Sequence, residues 1–544
     1  MARSVWWWAF LALGGLCVAE EAMTLSGVVY VSRHGVRSPY GPMNRTAGAA
    51  LGDDWSAWTR KRAKGAADYG MDEAAFHAQE LTPHGKALLP LFGAYVAEKW
   101  RAMGLDVGDA DLAIFADDST RDVQTADLWL EGLGRRGTPV RVGNASRPRM
   151  VPVVSDKVLF GPAAPSTEEQ TLGLFGGDVA ALTAAYEEDI KAIQRVLDMP
   201  PDASICAVLG VGSDDCALQN LPYEFTSALF LAGHGPPYMF LCPLYYAQFF
   251  AEAWMFEYLS GVDDFAFGLM TAAEVAFLYE THIAMMSFAA NPWNARAYGS
   301  AALGWIAAAL VQQATGGSFG APAMDAATPR TSVVALFVHD TNQLYLRELL
   351  GVSWIARGWQ GNAASTGGAL SFELHCTTAT PRRCFVAVTY AVASPRQQRD
   401  AEALSLASPP SEATLVIPDC GVALCPLADF VAVVLDKICA DCVDDPLRSV
   451  LDQLRAHANP PPRRPRACAA APPAWQEAAA LVAAALLGVF LAWFFGILAR
   501  VHRRRRTRSL LGAARNGDTV LHALDSPATQ RQERLTLVEP GAVL

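Results

Sequence analysis

The segment Arg33-His34-Gly35-Val36-Arg37 sets one imidazole between two guanidinium groups, directly after the apolar run Val28-Val29-Tyr30-Val31. Imidazole is a nucleophile near neutral pH, and the guanidinium fork matches the oxygens of a phosphoryl group bidentately. This spacing suits attack on a phosphorus atom that the arginines already grip. Gly35 permits close backbone approach, and Pro39 fixes the exit from the loop. Two further stretches have the same form. Leu112–Ala116 leads into Asp117-Asp118-Ser119-Thr120-Arg121, and Ser332–Val338 leads into His339-Asp340-Thr341-Asn342.

Each apolar run reads as a buried strand that delivers polar groups at its C-terminal end. From Arg121 to about Leu133 the spacing of Ala126, Trp129, Leu130 and Leu133 predicts a helix capped by Asp118 or Ser119. Arg121 then lies in the first turn, where backbone N–H groups also favour an anion. One His beside one Arg, or one Arg at a helix start, reads as an ordinary solvated charge. Three arginines, two histidines and a carboxylic acid in equivalent places read as one site, because open α/β sheets bind ligands outside the carboxyl ends of their strands.

These motifs resemble the histidine acid phosphatases. His339-Asp340-Thr341-Asn342 and Leu81-Thr82-Pro83-His84-Gly85 are similar to the branch that holds bacterial periplasmic acid phosphatases and phytases. Gly367-Gly368-Ala369-Leu370-Ser371-Phe372-Glu373-Leu374 and Cys420…Cys425-Pro426-Leu427-Ala428-Asp429-Phe430 add to the likeness, which covers about residues 24–445. The resemblance implies an α/β fold with a mostly parallel, phosphoglycerate-mutase-like sheet, flanking helices and an inserted smaller α-helical domain. It implies His34 as the nucleophile, forming a phosphohistidine, and Asp340 as the acid that protonates the leaving oxygen. Arg33, Arg37, Arg121 and His339 would hold the phosphate, with Asp117 and Glu252 as nearby acids. No cofactor and no metal is called for, since the arginines supply the positive charge. Ser38-Pro39-Tyr40 departs from the bacterial pattern, so Tyr40 is expected to shape the mouth and the phytase-like substrate range not to carry over.

The rest of the chain sets the expected organisation. Residues 1–19 read as a signal peptide, with an apolar core and the triplet Cys17-Val18-Ala19. The α/β domain is expected over 20–147 and 301–458, interrupted at 148–300 by packed helices such as Pro243–Gly261 and Thr271–Ala290. Ala369–His375 and Cys384–Ala391 read as a hairpin at the sheet edge. Ten cysteines remain after the signal, and local spacing favours disulfides Cys206–Cys216, Cys376–Cys384 and Cys420–Cys425. The partners of Cys242, Cys439, Cys442 and Cys468 stay open, with zinc at Cys439 and Cys442 a weaker alternative. Asn44 and Asn144 lie in glycosylation sequons.

Residues 459–477 read as a Pro-rich stalk, and 478–499 are an uncharged run long enough to span a membrane. Arg500 and the arginines after it predict a cytoplasmic tail over 500–544. A single-pass type I protein is therefore expected, a membrane-bound acid phosphatase with its ectodomain lumenal or extracellular, at the endosome, lysosome or plasma membrane. Leu510-Leu511 is a weak candidate sorting signal. The net charge of −11 includes nine Arg and four acids after residue 499, which leaves −16 for the remainder. So acidic a body argues against nucleic acid as a partner and leaves the phosphate site a local positive pocket. Phosphate monoesters are the expected substrates. Oligomeric state is left open, a homodimer included. The alternatives are a catalytically idle surface receptor or adhesion protein on the same fold, and a phytase-like inositol phosphate phosphatase.

Overall fold

The computed structural model describes residues 22–39, 55–143, 166–225, 240–320 and 331–458. The chain divides into two compact units, Met1–Pro461 and Pro462–Leu544, and all described residues belong to the first. The expected signal peptide, Tyr40, both sequons, Cys468, the stalk, the apolar run at 478–499 and the tail lie outside them.

Eight strands form the main sheet: β1 (Met23–Arg33), β2 (Asp111–Ala116), β3 (Val140–Val142), β4 (Thr331–Val338), β5 (Ala369–Thr377), β6 (Cys384–Val392), β7 (Ser411–Leu415) and β8 (Leu424–Pro426). Their order is β8-β6-β5-β1-β4-β2-β3, with β7 paired to β6. One half, β1-β4-β2-β3, is parallel, and the other is antiparallel. The architecture is α/β with flanking helices, as expected, but the sheet is mixed where a mostly parallel one was expected, because β5 to β8 join it antiparallel. The β5–β6 hairpin forms, but not at an edge. β5 pairs along its length with β1, and β7 and β8 extend the sheet from β6.

β1 and β4 are Val-rich and buried on both faces, as a central strand covered by helices requires. Their register aligns Arg33 with Val338, and β2 aligns Ala116 with Phe337 on the other side of β4. The three expected site segments therefore leave neighbouring strands at one end of the sheet.

Six helices matter here: α1 (Pro83–Ala102), α2 (Thr120–Gly132), α3 (Pro243–Leu259), α4 (Glu280–Ala289), α5 (Pro292–Thr315) and α6 (Asp340–Leu350). Thr82 caps α1 by accepting from the Gly85 N–H, with Pro83 in the first turn. α5 runs across residue 300, where the inserted helices were expected to end, and packs on β1 and α6.

The expected localisation as a single-pass type I membrane protein does not stand. Among the described residues no helix is long and apolar enough to cross a membrane, and the long helices α3 and α5 spend their apolar surface inside the protein.

The three expected local disulfides are present. A fourth joins Cys439 to Cys442, which uses both thiols that a zinc site would need. Cys242 is buried and outside any of these bonds.

Candidate active site

The sheet carries its ladder into the site. The His34 N–H donates to Val338 O at 3.0 Å, and the Asp117 N–H to Phe337 O at 3.0 Å. On the other flank the Arg33 N–H donates to Gly368 O at 2.9 Å, and the Gly367 N–H to His34 O at 3.0 Å. Gly367 has φ +67°, which favours glycine at this turn. The Gly-Gly pair noticed in the sequence thus grips the backbone on either side of the imidazole. The loop is held from a third side by α1, where the Thr82 N–H donates to Val36 O at 3.1 Å. A Cβ on Gly85 would meet that same oxygen at 2.0 Å.

His34 is 2 % exposed. Its Nδ1 lies 2.8 Å from the Gly35 carbonyl oxygen. A carbonyl only accepts, so Nδ1 carries the hydrogen and Nε2 keeps its lone pair. Burial, followed by the charges of Arg121, Arg33 and Arg37, holds the ring well below the ordinary histidine pKa. The result is a neutral imidazole with an available nitrogen, surrounded by cations.

Arg33 is buried, and both of its terminal nitrogens are engaged. Nη1 donates to Ala364 O at 2.8 Å, and Nη2 contacts Glu252 Oε1 at 3.2 Å and Asp340 Oδ2 at 2.8 Å. Arg37 Nη2 reaches both Glu252 oxygens at 3.5 Å, and its guanidinium lies over the Phe256 ring at 4.8 Å. Glu252 and Phe256 are one turn apart on α3, so a single helical face supplies both contacts. Burial alone would raise the Glu252 carboxyl, but His282, Arg37 and Arg33 lower it below the usual range.

Arg121 lies in the first turn of α2, as its spacing predicts, and is buried. Its carbonyl accepts from the Thr125 hydroxyl at 2.7 Å, and the same hydroxyl oxygen accepts from the Gly35 N–H at 3.0 Å. Ser119 is the N-cap residue, without a side-chain capping bond. His339 Nε2 is 2.9 Å from Asp117 Oδ2 and 3.6 Å from Asp122 Oδ2. An ionised carboxylate accepts only, so the Nε2 hydrogen points at Asp117. Its ring centre lies 5.6 Å from that of His34.

Asp340 opens α6, with Oδ1 accepting from the Thr341 N–H at 2.8 Å. Burial pushes its carboxyl up, but Arg33, then His282 and His34, outweigh that and hold it well below the ordinary carboxylate value.

His34, Asp340, Arg33, Arg37, Arg121, His339, Asp117 and Glu252 are thus brought to one place, and Tyr40 lies outside the described residues. Sequence reasoning missed His282, Tyr279, Phe256, Asp122 and Thr125. Only Phe256 had a signal, its one-turn spacing from Glu252. Asp117, Asp122 and His339 have the donor types and spacing to hold a metal ion, whereas in the similarly spaced Glu252–His282–Asp340 group both carboxylates are taken by Arg33, at 3.2 and 2.8 Å.

A neutral buried imidazole among guanidinium groups, with a carboxyl at hand, at the carboxyl ends of parallel strands, defines a phosphoryl-transfer class of site. Comparison with known proteins agrees. Residues 24–156 match the histidine phosphatase superfamily, branch 2. The phytase AppA of Escherichia coli (strain K12) is 25 % identical over 442 residues, covering 76 % of this chain and 92 % of that protein. A Hafnia alvei phytase structure in complex with tartrate covers 77 % of this chain and 98 % of its own, at 22 % identity and a TM-score of 0.61. The Citrobacter braakii phytase covers 78 % and 100 %, at 22 % identity and 0.62. Over residues 24–156 the chain is thus similar to the histidine phosphatase superfamily, branch 2, and it is a phosphoric monoester hydrolase.

Proposed function

We propose that the enzyme hydrolyses phosphate monoesters in acid through a phosphohistidine on His34 Nε2, with inositol phosphates among its substrates. The observation that carries this reading is the His34–Gly35 contact, because it commits Nδ1 to a carbonyl and leaves Nε2 with its lone pair. Nε2 attacks phosphorus in line with the leaving oxygen. Arg33, Arg37, Arg121 and His339 neutralise charge on the three equatorial oxygens. Asp340 protonates the departing alcohol and then, as a base, activates the water that cleaves the P–N bond. Asp117 orients His339, and Glu252 holds Arg33 and Arg37 in place between turnovers.

The similarity to phytases over about three quarters of the chain supports inositol phosphates. One Hafnia alvei phytase structure is in complex with myo-inositol hexakis sulphate. Ser38-Pro39-Tyr40 favours the second reading, a range weighted toward simple monoesters. Phosphate release from myo-inositol hexakisphosphate, glycerol 2-phosphate and p-nitrophenyl phosphate at acid pH decides between them. Turnover of all three supports the first reading. Turnover of the simple esters alone leaves the second, and turnover of none contradicts both.

A further inference from the structure

We propose that His282 is the positioning residue that supplies Asp340 with its proton, from Nε2 to Asp340 Oδ2. The inference rests on Asp340 being the acid, as proposed above.

His282 is 3 % exposed and belongs to α4, which contributes nothing else to the site chemistry described so far. Its Nδ1 lies 2.7 Å from Gln248 Oε1. Its Nε2 faces two carboxylate oxygens, Glu252 Oε1 at 3.6 Å and Asp340 Oδ2 at 3.7 Å. A proton on either ring nitrogen therefore has an acceptor waiting. The ring is stacked on Tyr279, centroids 5.0 Å apart and planes 18° apart, and the Tyr279 hydroxyl meets Arg33 Nη1 at 3.5 Å. Gln248 stands one turn before Glu252 on α3, so one helical face fixes both His282 and the carboxylate beside it.

The need for such a residue follows from Arg33. At 2.8 Å it favours the ionised form of Asp340, whereas an acid must arrive with a proton. When a substrate phosphate takes up Arg33, that stabilisation of the carboxylate weakens. Asp340 Oδ2 then faces His282 Nε2 at 3.7 Å, and an imidazole can pass on a hydrogen held there, which a guanidinium cannot. The Nε2–H bond breaks and Oδ2–H forms. Oδ2–H then breaks as the leaving oxygen gains the proton, its bond to phosphorus breaks, and His34 Nε2 bonds to phosphorus. In the second half the attacking water loses a proton to Asp340, which returns it to His282 Nε2. At 3.7 Å the pair is longer than a hydrogen bond, and catalytic contacts of this kind tighten when substrate binds.

The test is single-turnover phosphoenzyme formation, with KM measured in parallel, for glycerol 2-phosphate and p-nitrophenyl phosphate. The proteins are the wild type, His282→Asn, Asp340→Asn and the double variant. His282→Asn is expected to slow phosphorylation by glycerol 2-phosphate on the order of ten- to a hundredfold, part of the ~10²–10⁴-fold that general acid catalysis contributes. KM and the p-nitrophenyl phosphate rate should change little, and the double variant should be no slower than Asp340→Asn. Equal losses for both esters, a change confined to KM, or a further loss in the double variant would overturn the proposal. If His282→Asn does not fold, Gln248→Leu is read instead. It should give the same selective loss, which Gln248→Glu should restore; an unselective loss, or none, counts against the relay. An Asp340→Asn enzyme at full speed on glycerol 2-phosphate would instead overturn the underlying reading. A slow Asp340→Asn beside an unimpaired His282→Asn would overturn this inference alone.

Discussion

Arg33 Nη2 stands 2.8 Å from Asp340 Oδ2, so a substrate phosphate and the proposed acid compete for one guanidinium. Asp340→Asn removes a negative charge beside the phosphate site and releases Arg33. Inorganic phosphate should therefore inhibit the variant at several-fold lower concentration than the wild type, by like-charge relief. Phosphoryl transfer from an alkyl ester should meanwhile fall by up to ~10²–10⁴-fold. Competitive inhibition constants and turnover rates check both. Weaker phosphate binding in Asp340→Asn would contradict the competition.

Gly85 is the point where α1 touches the nucleophile loop. Its missing side chain admits Val36 O to within 2.0 Å of where a Cβ would be. Gly85→Ala must move the loop that carries His34 and Arg37. Misplacement by about 1 Å costs on the order of 10²-fold in rate, so kcat should fall by roughly that factor while the protein remains folded. Activity close to wild type in Gly85→Ala would show that the loop is positioned by other contacts.

Much of this site was legible because it is local. Arg33, His34 and Arg37 share five residues, and His339 and Asp340 are adjacent, so strand pattern and residue type were enough. Arg121 and Asp117 followed from the same strand-then-loop pattern. His282 was not legible. It lies on a buried helix of apolar residues with no motif around it, and it joins the site only when α4 packs against α3. The hairpin's place was missed for a related reason. Alternation marks β5 and β6 as strands but does not say that β5 would pair with β1.

Glu257, five residues after Glu252 on α3, is buried, and burial pushes its carboxyl up to about 8. Its Oε2 accepts from the Ala266 N–H at 2.7 Å, pinning a turn in which Ala266 and Phe267 have φ of 49° and 60°. A folded-state pKa above the unfolded value means that stability is fullest in acid and falls as pH rises from the ordinary glutamate range to about 8. The slope attributable to one such group is up to about 1.4 kcal/mol per pH unit within that window. Urea unfolding across pH should show this decline in the wild type and a flatter profile in Glu257→Gln. A decline of equal steepness in both would assign it to other groups.

Glu252 bridges Arg33 and Arg37 at 3.2 and 3.5 Å. Glu252→Ala leaves two buried guanidinium groups short of an acceptor, which costs about 1–3 kcal/mol. Stability should drop by that amount, and bound phosphate should recover part of it, because the anion supplies the missing acceptors. Thermal unfolding with and without phosphate measures both. A phosphate-induced shift no larger than in the wild type would contradict the role given to Glu252.

The most direct test of the account is whether His34 becomes covalently phosphorylated. Wild-type enzyme mixed rapidly with substrate carrying labelled phosphate, then denatured in alkali, should hold label on the peptide that contains His34. His34→Ala, folded, should hold none and should release no phosphate. Label elsewhere, no label during steady turnover, or turnover in His34→Ala would contradict a phosphohistidine mechanism.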